Sequence, residues 1–493
     1  MKVLMVGAEA VPFAKVGGLG DVLGALPGAL QDAGAEVTLL LPRYRSVDPG
    51  RYGLTRVPVP ADWHVGLNHV DHGFGLLRGR LPDSDAQVLF LENDHFFDRY
   101  SVYNAEGGRA FADDAERWIF FQRGCMEVCK LLGLRPDIIH AHDSHAALIP
   151  AFTRTLYAGE SNLRGAATVL TIHNLAHQGN YGREALALAG FGDELFYAGG
   201  PLEAYGDFNM MKAGIVFADR VTTVSPTYAR QIRTEDWGHG LDGVLRARSG
   251  DLHGVLNGID PSVWSPEHDT RIVRNYSAAD REGKRACKRA LLERLGLPAG
   301  DLGPPVLAFI GRLVPQKGCD LLEAVLPELL ERDLRFVGLG SGADTYEEAL
   351  RGAARAWPEK AAAVIGFDDD MAHWIEAGAD ILLMPSRYEP CGLNQMYSLA
   401  YGTVPVVHAT GGLADTVIEV AAREQGGSGF RFHRYEAGDF KQATYRALTA
   451  YQDPARWERL VQNGMSLDNS WAHAAREYLD IYRQAAGQRR AGA

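Results

Sequence analysis

Short apolar runs recur along this chain, and stretches with helical periodicity separate several of them. In the first half the predicted strands are residues 3–6, 37–41, 88–91, 138–140, 167–172, 220–224 and 252–255. Continuous apolar strands that alternate with helices are typical of a parallel sheet covered on both faces. Residues 52–85, with alternating polarity and several turn residues, instead favour an antiparallel excursion. The pattern therefore predicts an α/β fold built on a doubly wound sheet.

A second series of strands begins near residue 305 and repeats this organisation. Its predicted strands are residues 306–310, 335–339, 363–365, 381–384 and 404–407. A chain of 493 residues is too long for one hydrophobic core, so two domains are expected. Gly, Asp and Pro cluster at residues 258–266, which indicates a boundary. We predict two doubly wound, Rossmann-like domains at 1–258 and 259–470, followed by a C-terminal segment at 471–493.

The charge and cysteine content of the chain argue against several classes of protein. Acidic residues outnumber basic ones, 62 to 50, whereas a general nucleic-acid binder needs a basic face. Five scattered cysteines without a CxxC pair fit a reducing compartment better than a disulfide scaffold or a zinc site. No apolar run reaches the length of a membrane span. We therefore expect a cytoplasmic protein with neither a nucleic-acid nor a membrane partner.

The first loop of the chain combines glycines with a cation directly after a strand. Gly17 and Gly18 let the backbone turn sharply and approach a ligand closely, because no Cβ intrudes. The N-terminus of the helix that follows favours an anion, and Lys15 adds a positive charge. This arrangement predicts a site for a phosphate-bearing ligand. The alternative is an ordinary strand-to-helix turn with a surface lysine.

Three loops of the second half repeat this theme. Residues 311–318 place Arg312 and Lys317 on one loop after a strand, a pair of cations suited to a diphosphate. Residues 386–393 carry Glu389, whose carboxylate can accept bonds from sugar hydroxyls, and residues 410–415 contain another glycine turn. Open α/β sheets bind ligands at the carboxyl ends of their strands, where all these loops lie. Two such domains predict a ligand cleft between them.

Two other interpretations compete with the phosphate site. An NAD site would require GxGxxG directly after the first strand and an acid after the second, but the glycines come late and the second strand ends Leu40-Leu41-Pro42-Arg43. Residues 140–145, HAHDSH, contain metal-ligand side chains without the spacing signature of a metal site. Asp143 is more plausible as an acceptor for a sugar hydroxyl, and His173 follows the next strand beside the proposed cleft.

Eight motifs, taken together and in this order, resemble a known family. They are AEAVPFAKVGGLGDV, HAHDSHAALIP, TIHNLAHQG, VTTVSPTYA, GVLNGID, FIGRLVPQKG, PSRYEPCGLNQ and TGGLADTV. From Met1 to about Tyr482 the chain is similar to bacterial glycogen synthases and plant starch synthases, glycosyltransferase family 5. The resemblance implies the GT-B fold with its interdomain cleft, and a C-terminal helix at 471–493 that crosses back to the N-terminal domain.

The resemblance also implies a reaction. A glucosyl unit would pass from ADP-glucose to the non-reducing 4-hydroxyl of an α-1,4-glucan such as glycogen, with retention at the anomeric carbon. No cofactor and no metal are implied, so cations and helix N-termini would stabilise the leaving diphosphate. No residue stands out as a covalent nucleophile. That absence fits a front-face mechanism in which the leaving phosphate helps to deprotonate the acceptor.

Roles for individual residues follow from the matched positions of these motifs. The resemblance implies catalytic contributions from Lys15, His173, Arg312, Lys317 and Glu389, with the His173 backbone facing developing positive charge. Asp143 would face the acceptor. Contacts to the donor would come from Lys15, Gly17, Gly18, Asp21, Asn257, Arg312, Lys317, Phe367, Cys391, Gly392, Leu393 and Thr416.

The chain departs from the family pattern at several of these motifs. Val16 and Gly20 stand where the family has Thr and Ala, Ser144 where it has Trp, Phe367 where it often has Tyr, and Ala409 where bacterial relatives often have a basic residue. These departures leave the choice between ADP-glucose and UDP-glucose open. The sequence also allows a related enzyme with a short or non-glucan acceptor, or a non-catalytic glucan-binding relative. The oligomeric state cannot be derived from it.

Overall fold

The computed structural model describes residues 1–82, 84–105, 109–420 and 426–491. The chain forms two compact units: unit 1 contains Met1–Gly258 and Trp471–Ala493, and unit 2 contains Ile259–Ser470. Each unit is built on its own, largely parallel sheet. The predicted α/β class, with two doubly wound Rossmann-like sheets, is confirmed.

Most strands of unit 1 belong to one large sheet with the order β14-β13-β9-β8-β1-β2-β7-β6-β3. In chain order, the strands of unit 1 are β1 (Lys2–Val6), β2 (Glu36–Pro42), β3 (Thr55–Val57), β4 (His64–Leu67), β5 (Val70–Gly73), β6 (Gly75–Arg80), β7 (Gln87–Glu92), β8 (Ile138–His142), β9 (Ala167–Ile172), β10 (Asn180–Tyr181), β11 (Glu203–Ala204), β12 (Asp207–Asn209), β13 (Arg220–Thr223) and β14 (Leu252–Gly254). The strand β1 is central, because Met5 pairs in parallel with Leu39 on one side and His140 on the other. The antiparallel excursion predicted at 52–85 is confirmed: β6 runs antiparallel to both β7 and β3, and β4 pairs with β5.

Helices of unit 1 fill the connections between these strands. Up to residue 258 they are α1 (Gly18–Asp32), α2 (Asp94–Phe97), α3 (Asp114–Leu132), α4 (Ile149–Arg154), α5 (Glu184–Ala189), α6 (Met210–Phe217), α7 (Pro226–Gln231) and α8 (Asp242–Ala247), with a 3-10 turn at Asp193–Leu195. Helix α6 begins at Met210, because the Asn209 side chain accepts the backbone N–H of Lys212 at 2.7 Å and caps it. Residues 207–209 pair as β12 instead.

Unit 2 contains a parallel sheet with the strand order β17-β16-β15-β18-β19-β20. Its strands are β15 (Val306–Ile310), β16 (Arg335–Gly340), β17 (Ala361–Ile365), β18 (Ile381–Met384), β19 (Val404–His408) and β20 (Phe430–Phe432). Its helices are α9 (Glu282–Arg294), α10 (Cys319–Leu330), α11 (Asp344–Ala356), α12 (Asp369–Gly378), α13 (Asn394–Ala400), α14 (Gly411–Thr416), α15 (Ala437–Tyr451) and α16 (Pro454–Met465), with a 3-10 turn at Pro315–Lys317.

The core of unit 2 shows why a fully apolar strand predicts burial on both faces. Along β15, Leu307 and Phe309 join a cluster with α10 and α15, whereas Val306 and Ala308 join a cluster with α9 and α12. Alternate residues of a strand point to opposite faces, so both faces are covered.

The last helix of the chain, α17 (Trp471–Ala491), packs within unit 1. It contacts α1, β8 and β9, and Tyr478 and Tyr482 are fully buried there. Across the described parts of the chain, every helix lacks the length or the apolar character that crossing a membrane requires.

Candidate functional site

In unit 1 the strand order reverses between β1 and β8, so the loops after these two strands lie side by side. Such a reversal is where open α/β sheets bind ligands. The loop after β1 carries Lys15, whose Nζ lies 2.7 Å from Asp21 Oδ1. Their side chains are 40% and 24% exposed. The predicted cation therefore stands at the mouth of the loop, next to the carboxylate that was assigned to the same site.

Sequence reasoning missed Glu9, which holds this loop. One carboxylate oxygen accepts the backbone N–H groups of Val16 and Gly17, and the other accepts the Tyr103 hydroxyl at 2.9 Å. Burial raises the pKa of Glu9, although these hydrogen bonds work against that rise. A lone acid within the apolar stretch 3–14 was the available signal, because a buried carboxylate needs dedicated donors.

The backbone bends at Val16 and Gly17, directly before α1. Neither Gly17 nor Gly18 has a left-handed φ, and Gly17 is extended with a φ of −143°. The bend therefore does not depend on a backbone conformation that only glycine adopts readily. A Cβ added at Gly18 would meet nothing within 4 Å, so space is open beside the start of α1. Close approach of a ligand there stays a prediction.

The loop after β8 begins with Asp143, whose carboxylate organises the end of β9. Asp143 is 8% exposed and has a left-handed φ of 57°. Its Oδ1 accepts the backbone N–H of His173 at 2.7 Å and that of Asn174 at 3.4 Å. Burial raises the pKa of Asp143 to about 7, against the lowering effect of these donors. The structure thus brings Asp143 and His173 together, whereas contact of Asp143 with an acceptor stays a prediction.

Buried histidines lie directly behind His173. Its Nε2 lies 2.9 Å from His142 Nδ1, and His140 is bonded through both ring nitrogens, to Tyr482 and Thr171. Burial lowers the pKa of His140 and His173 to about 3 and that of His142 well below its usual range. Within the described residues, no group of three or more His, Cys, Asp or Glu side chains is arranged to hold a metal ion.

Because these histidines are buried, the free energy of unfolding of unit 1 depends on pH in the acidic range. His145 is also buried, with its pKa lowered to about 3. As pH falls below about 6.5, a histidine in the unfolded chain takes up a proton that the buried histidine of the native protein does not bind. The stability present above pH 6.5 is therefore lost as pH falls towards 3. Each such histidine lowers the free energy of unfolding by about 1 kcal/mol between pH 6.5 and 5.5. The raised pKa values of Asp143 and Glu9 change stability in the opposite direction. The dependence of the unfolding free energy on pH in the wild type alone therefore does not identify the contribution of the histidines.

We therefore predict a difference between variants. His145 packs between Trp118 and Tyr103, with ring centroids 4.4 and 4.9 Å away, so His145→Phe keeps an aromatic ring there. Urea unfolding measures the free energy of unfolding at pH 6.5 and at pH 5.5. The decrease between the two pH values should be smaller by about 1 kcal/mol in His145→Phe than in wild type. His473→Gln, at a side chain that is 63% exposed, should behave as wild type. Equal pH slopes for wild type and His145→Phe would contradict the assignment.

The remaining predicted residue of unit 1, Asn257, lies in the loop after β14. It is 7% exposed, and its buried Oδ1 has no hydrogen-bond partner among the described residues. A buried acceptor without a donor is costly. The polarity of Asn257 therefore fits a sugar hydroxyl, as the sequence predicts, but its contact with a donor sugar stays a prediction.

In unit 2 the strand order reverses between β15 and β18, and the two predicted loops meet there. The Nζ of Lys317, on the loop after β15, lies 2.5 Å from Oε2 of Glu389, on the loop after β18. The Ser386 hydroxyl donates to the same oxygen at 3.2 Å. Arg312 is exposed and donates to Gln316 Oε1 at 2.9 Å. The structure brings Lys317 and Glu389 together, with Arg312 on the same loop as Lys317.

A tight backbone contact fixes the Glu389 loop. The Gly412 N–H is shared between the carbonyl oxygens of Glu389, at 3.2 Å, and Pro390, at 3.1 Å. A Cβ on Gly411 or Gly412 would overlap the backbone of this loop. Glycine is required at both positions because the start of α14 and the Glu389 loop touch through their main chains.

The other predicted residues of unit 2 occupy different environments. Cys391 is buried, Gly392 has a left-handed φ of 75°, and Leu393 directly precedes α13. The Thr416 hydroxyl donates to the Gly412 carbonyl at 2.7 Å and accepts a bond from Gln395. Phe367 follows β17 and is 84% exposed. An exposed aromatic face suits stacking on a nucleobase, although this role stays a prediction.

Comparison with known proteins follows the same division of the chain. The family model described as starch synthase catalytic domain matches residues 2–247, and the model described as glycosyl transferases group 1 matches residues 304–450. The chain is 47% identical to a glycogen synthase of Anaeromyxobacter dehalogenans, covering 98% of this chain and 99% of the relative. It is 44% identical to the glycogen synthase of Thermotoga maritima, with the same coverage.

Solved structures agree with these relatives. The catalytic domain of starch synthase IV from Arabidopsis thaliana, bound to ADP and acarbose, matches with a TM-score of 0.90 at 33% identity, covering 98% of this chain and 99% of that one. Sucrose-phosphate synthase from Thermosynechococcus elongatus shares the fold, with a TM-score of 0.59 at 17% identity. The resemblance inferred from the motifs is confirmed. The chain belongs to the glycogen synthase family and is a glucosyltransferase that elongates glucan.

Proposed function

We propose that this enzyme takes glucose from ADP-glucose and adds it to the non-reducing 4-hydroxyl of an α-1,4-glucan, with retention at the anomeric carbon and without a metal at the diphosphate. The observation that carries the proposal is the Lys317–Glu389 pair, with Arg312 on the same loop as Lys317. Two cations and a buried carboxylate at one switch point suit a sugar diphosphate, whose phosphates are anionic and whose glucose carries hydroxyl donors.

Binding of the donor in unit 2 would follow from the chemistry of these three side chains. Arg312 offers a planar fork and Lys317 a point charge, so together they can neutralise the diphosphate. Glu389 is 7% exposed, and its carboxylate can accept bonds from glucose hydroxyls once Lys317 turns to the phosphates. Phe367 would stack on the base. Gly392 and the N–H groups near it would line the sugar.

Residues of unit 1 would serve the sugar and acceptor side. The His173 backbone is held by the Asp143 carboxylate, and its carbonyl would stabilise positive charge on the anomeric carbon. Lys15 and the open space at Gly18 would contact the phosphate or sugar side of the donor. Asp143 would face the acceptor, with Ser144 in place of an aromatic contact.

A front-face transfer accounts for retention without a covalent intermediate. The bond from the anomeric carbon to the phosphate oxygen breaks, the bond to the acceptor 4-oxygen forms on the same face, and the acceptor proton passes to the leaving phosphate. ADP leaves with the bonding pair. Arg312 and Lys317 stabilise the negative charge that develops on the leaving phosphate, in place of a divalent metal ion.

A donor panel with excess glycogen tests the proposal. ADP release should depend on glycogen, exceed UDP release from UDP-glucose, persist in EDTA, and yield a ladder of longer chains. Release that does not depend on the acceptor would contradict glucan elongation. A single addition without a ladder would favour a short acceptor. Faster use of UDP-glucose would overturn the assignment of ADP-glucose as the donor. Loss of activity in EDTA that Mg²⁺ restores would overturn metal-free transfer.

We also propose the cytoplasm as the place of action. All five cysteines, Cys125, Cys129, Cys287, Cys319 and Cys391, are buried thiols outside any disulfide. Cysteines that form no disulfide fit a reducing compartment. Fractionation of the native host, followed by an activity assay on each fraction, would test this location.

A further inference from the structure

A line of fully buried side chains runs from the C-terminal helix to His173. The Tyr482 hydroxyl of α17 lies 2.7 Å from His140 Nδ1, and His140 Nε2 lies 2.6 Å from Thr171 Oγ1. These two bonds fix the ring of His140. That ring packs on His142, with the centroids 4.0 Å apart, and His142 Nδ1 lies 2.9 Å from His173 Nε2. The line therefore ends on the side chain of a residue that we assign to the sugar.

The position of the proton on His142 follows from what its other nitrogen faces. His142 is 0% exposed, and its Nε2 is buried with no hydrogen-bond partner among the described residues. A neutral imidazole has one N–H donor and one acceptor nitrogen. For backbone groups an orphaned buried N–H is rarer than an under-satisfied acceptor, and the same preference is applied to the buried imidazole. It places the proton of His142 on Nδ1, which then donates to His173 Nε2.

This direction fixes the tautomer of His173 as well. Because its Nε2 accepts from His142, a neutral His173 must carry its own proton on Nδ1. Burial lowers the pKa of His173 to about 3, so it is neutral at the pH of assay. The remaining donor of the ring is thus Nδ1–H.

We propose that His142 is a positioning residue that holds His173 as the Nδ1–H tautomer. His142 packs on His140, which is anchored to Tyr482. The Nδ1–H of His173 is then available to donate to a hydroxyl of the bound sugar. The part that concerns the sugar rests on the proposed function, whereas the tautomer does not. His142 then acts on the reaction only through His173.

Substitutions at His142 test the positioning role. An asparagine amide can place an N–H near the position of Nδ1, whereas leucine cannot. His142→Leu should lower kcat by about 10²-fold, the size expected for a misplaced contact, with little change in KM for donor or glycogen. His142→Asn should recover most of that loss. His253→Leu, at another histidine of unit 1, should leave kcat unchanged. Equal loss in His142→Leu and His142→Asn would overturn the proposal.

Tyr482→Phe examines the far end of the line. It removes the hydroxyl that anchors His140 while keeping the ring, so kcat should fall by several fold. The melting temperature should fall too, because His140 Nδ1 is left buried without a partner. Tyr157→Phe, which removes a 2.8 Å bond to Glu127 elsewhere in unit 1, is the matched control. A Tyr482→Phe enzyme with wild-type kcat would remove Tyr482 from the proposal.

The tautomer is read directly from nitrogen-15 spectra of histidine-labelled protein without substrate. The His173 signal, assigned by its loss in His173→Gln, should show a protonated Nδ1 in wild type and a shift towards protonated Nε2 in His142→Leu. A protonated Nε2 in wild type would overturn the inference. Because the spectrum needs no substrate, its failure is distinguishable from failure of the donor panel.

Discussion

Replacing Lys317 by alanine is expected to lower kcat for glucosyl transfer by about 10²–10³-fold while unit 2 stays folded. The Nζ of Lys317 lies 2.5 Å from Glu389, at the switch point that we assign to the diphosphate. Negative charge on the diphosphate grows as the bond to glucose breaks. A cation lost there therefore costs more in the transition state than in the bound donor. Steady-state kinetics with saturating glycogen and varied ADP-glucose measures this loss.

Loss of Lys317 also leaves the buried Glu389 carboxylate without its cation, and a double-mutant cycle separates the two effects. If Lys317 served only to neutralise Glu389, Lys317→Ala would cost nothing further in a Glu389→Gln background. We expect the double variant to be clearly slower than Glu389→Gln alone. Lys441→Ala breaks an exposed pair with Glu328, 2.9 Å apart, and should leave kcat unchanged. A double variant as fast as Glu389→Gln alone, or a Lys317→Ala enzyme within about tenfold of wild type, would contradict the role at the diphosphate.

The sheets could be predicted from the sequence because their signal is local. In β15, β18 and β19 every second residue faces the same layer and both layers are apolar, so the strands read as continuous apolar runs. The positions of the cationic loops followed, since a loop after a parallel strand must lie at its carboxyl edge. The short strand β20 gave no such signal, because three residues are too few to establish a period.

The contacts within the site could not be predicted, because they join residues far apart in the chain. Glu9 meets Tyr103, and His140 meets Tyr482 across 342 positions. The strand β8 also extends past its predicted end, through His142. A histidine is polar by composition, and only its buried partners, supplied by other elements, keep it inside a strand.

Gly411→Ala is expected to abolish most of the activity without touching a ligand. Gly411 has a left-handed φ of 44°, which costs an alanine about 1–2 kcal/mol. Its added Cβ would overlap the Glu389 carbonyl oxygen and lie 2.9 Å from the carbonyl carbon. The Glu389 loop must therefore move by about 1 Å, a displacement that costs about 10²-fold when it misplaces a reacting group.

Kinetics and unfolding together distinguish this displacement from simple loss of the fold. We expect kcat to fall by about 10²-fold while the protein still unfolds cooperatively in urea, at a midpoint lowered by the left-handed alanine and by the displaced loop. Gly438→Ala is the matched control, because its Cβ meets nothing within 4 Å at the start of α15; alanine there should preserve kcat and stabilise the helix by up to about 1 kcal/mol. Near-normal kcat in Gly411→Ala would show that the Glu389 loop accommodates the methyl group. The main-chain contact between α14 and that loop would then not set the position of the Glu389 carboxylate.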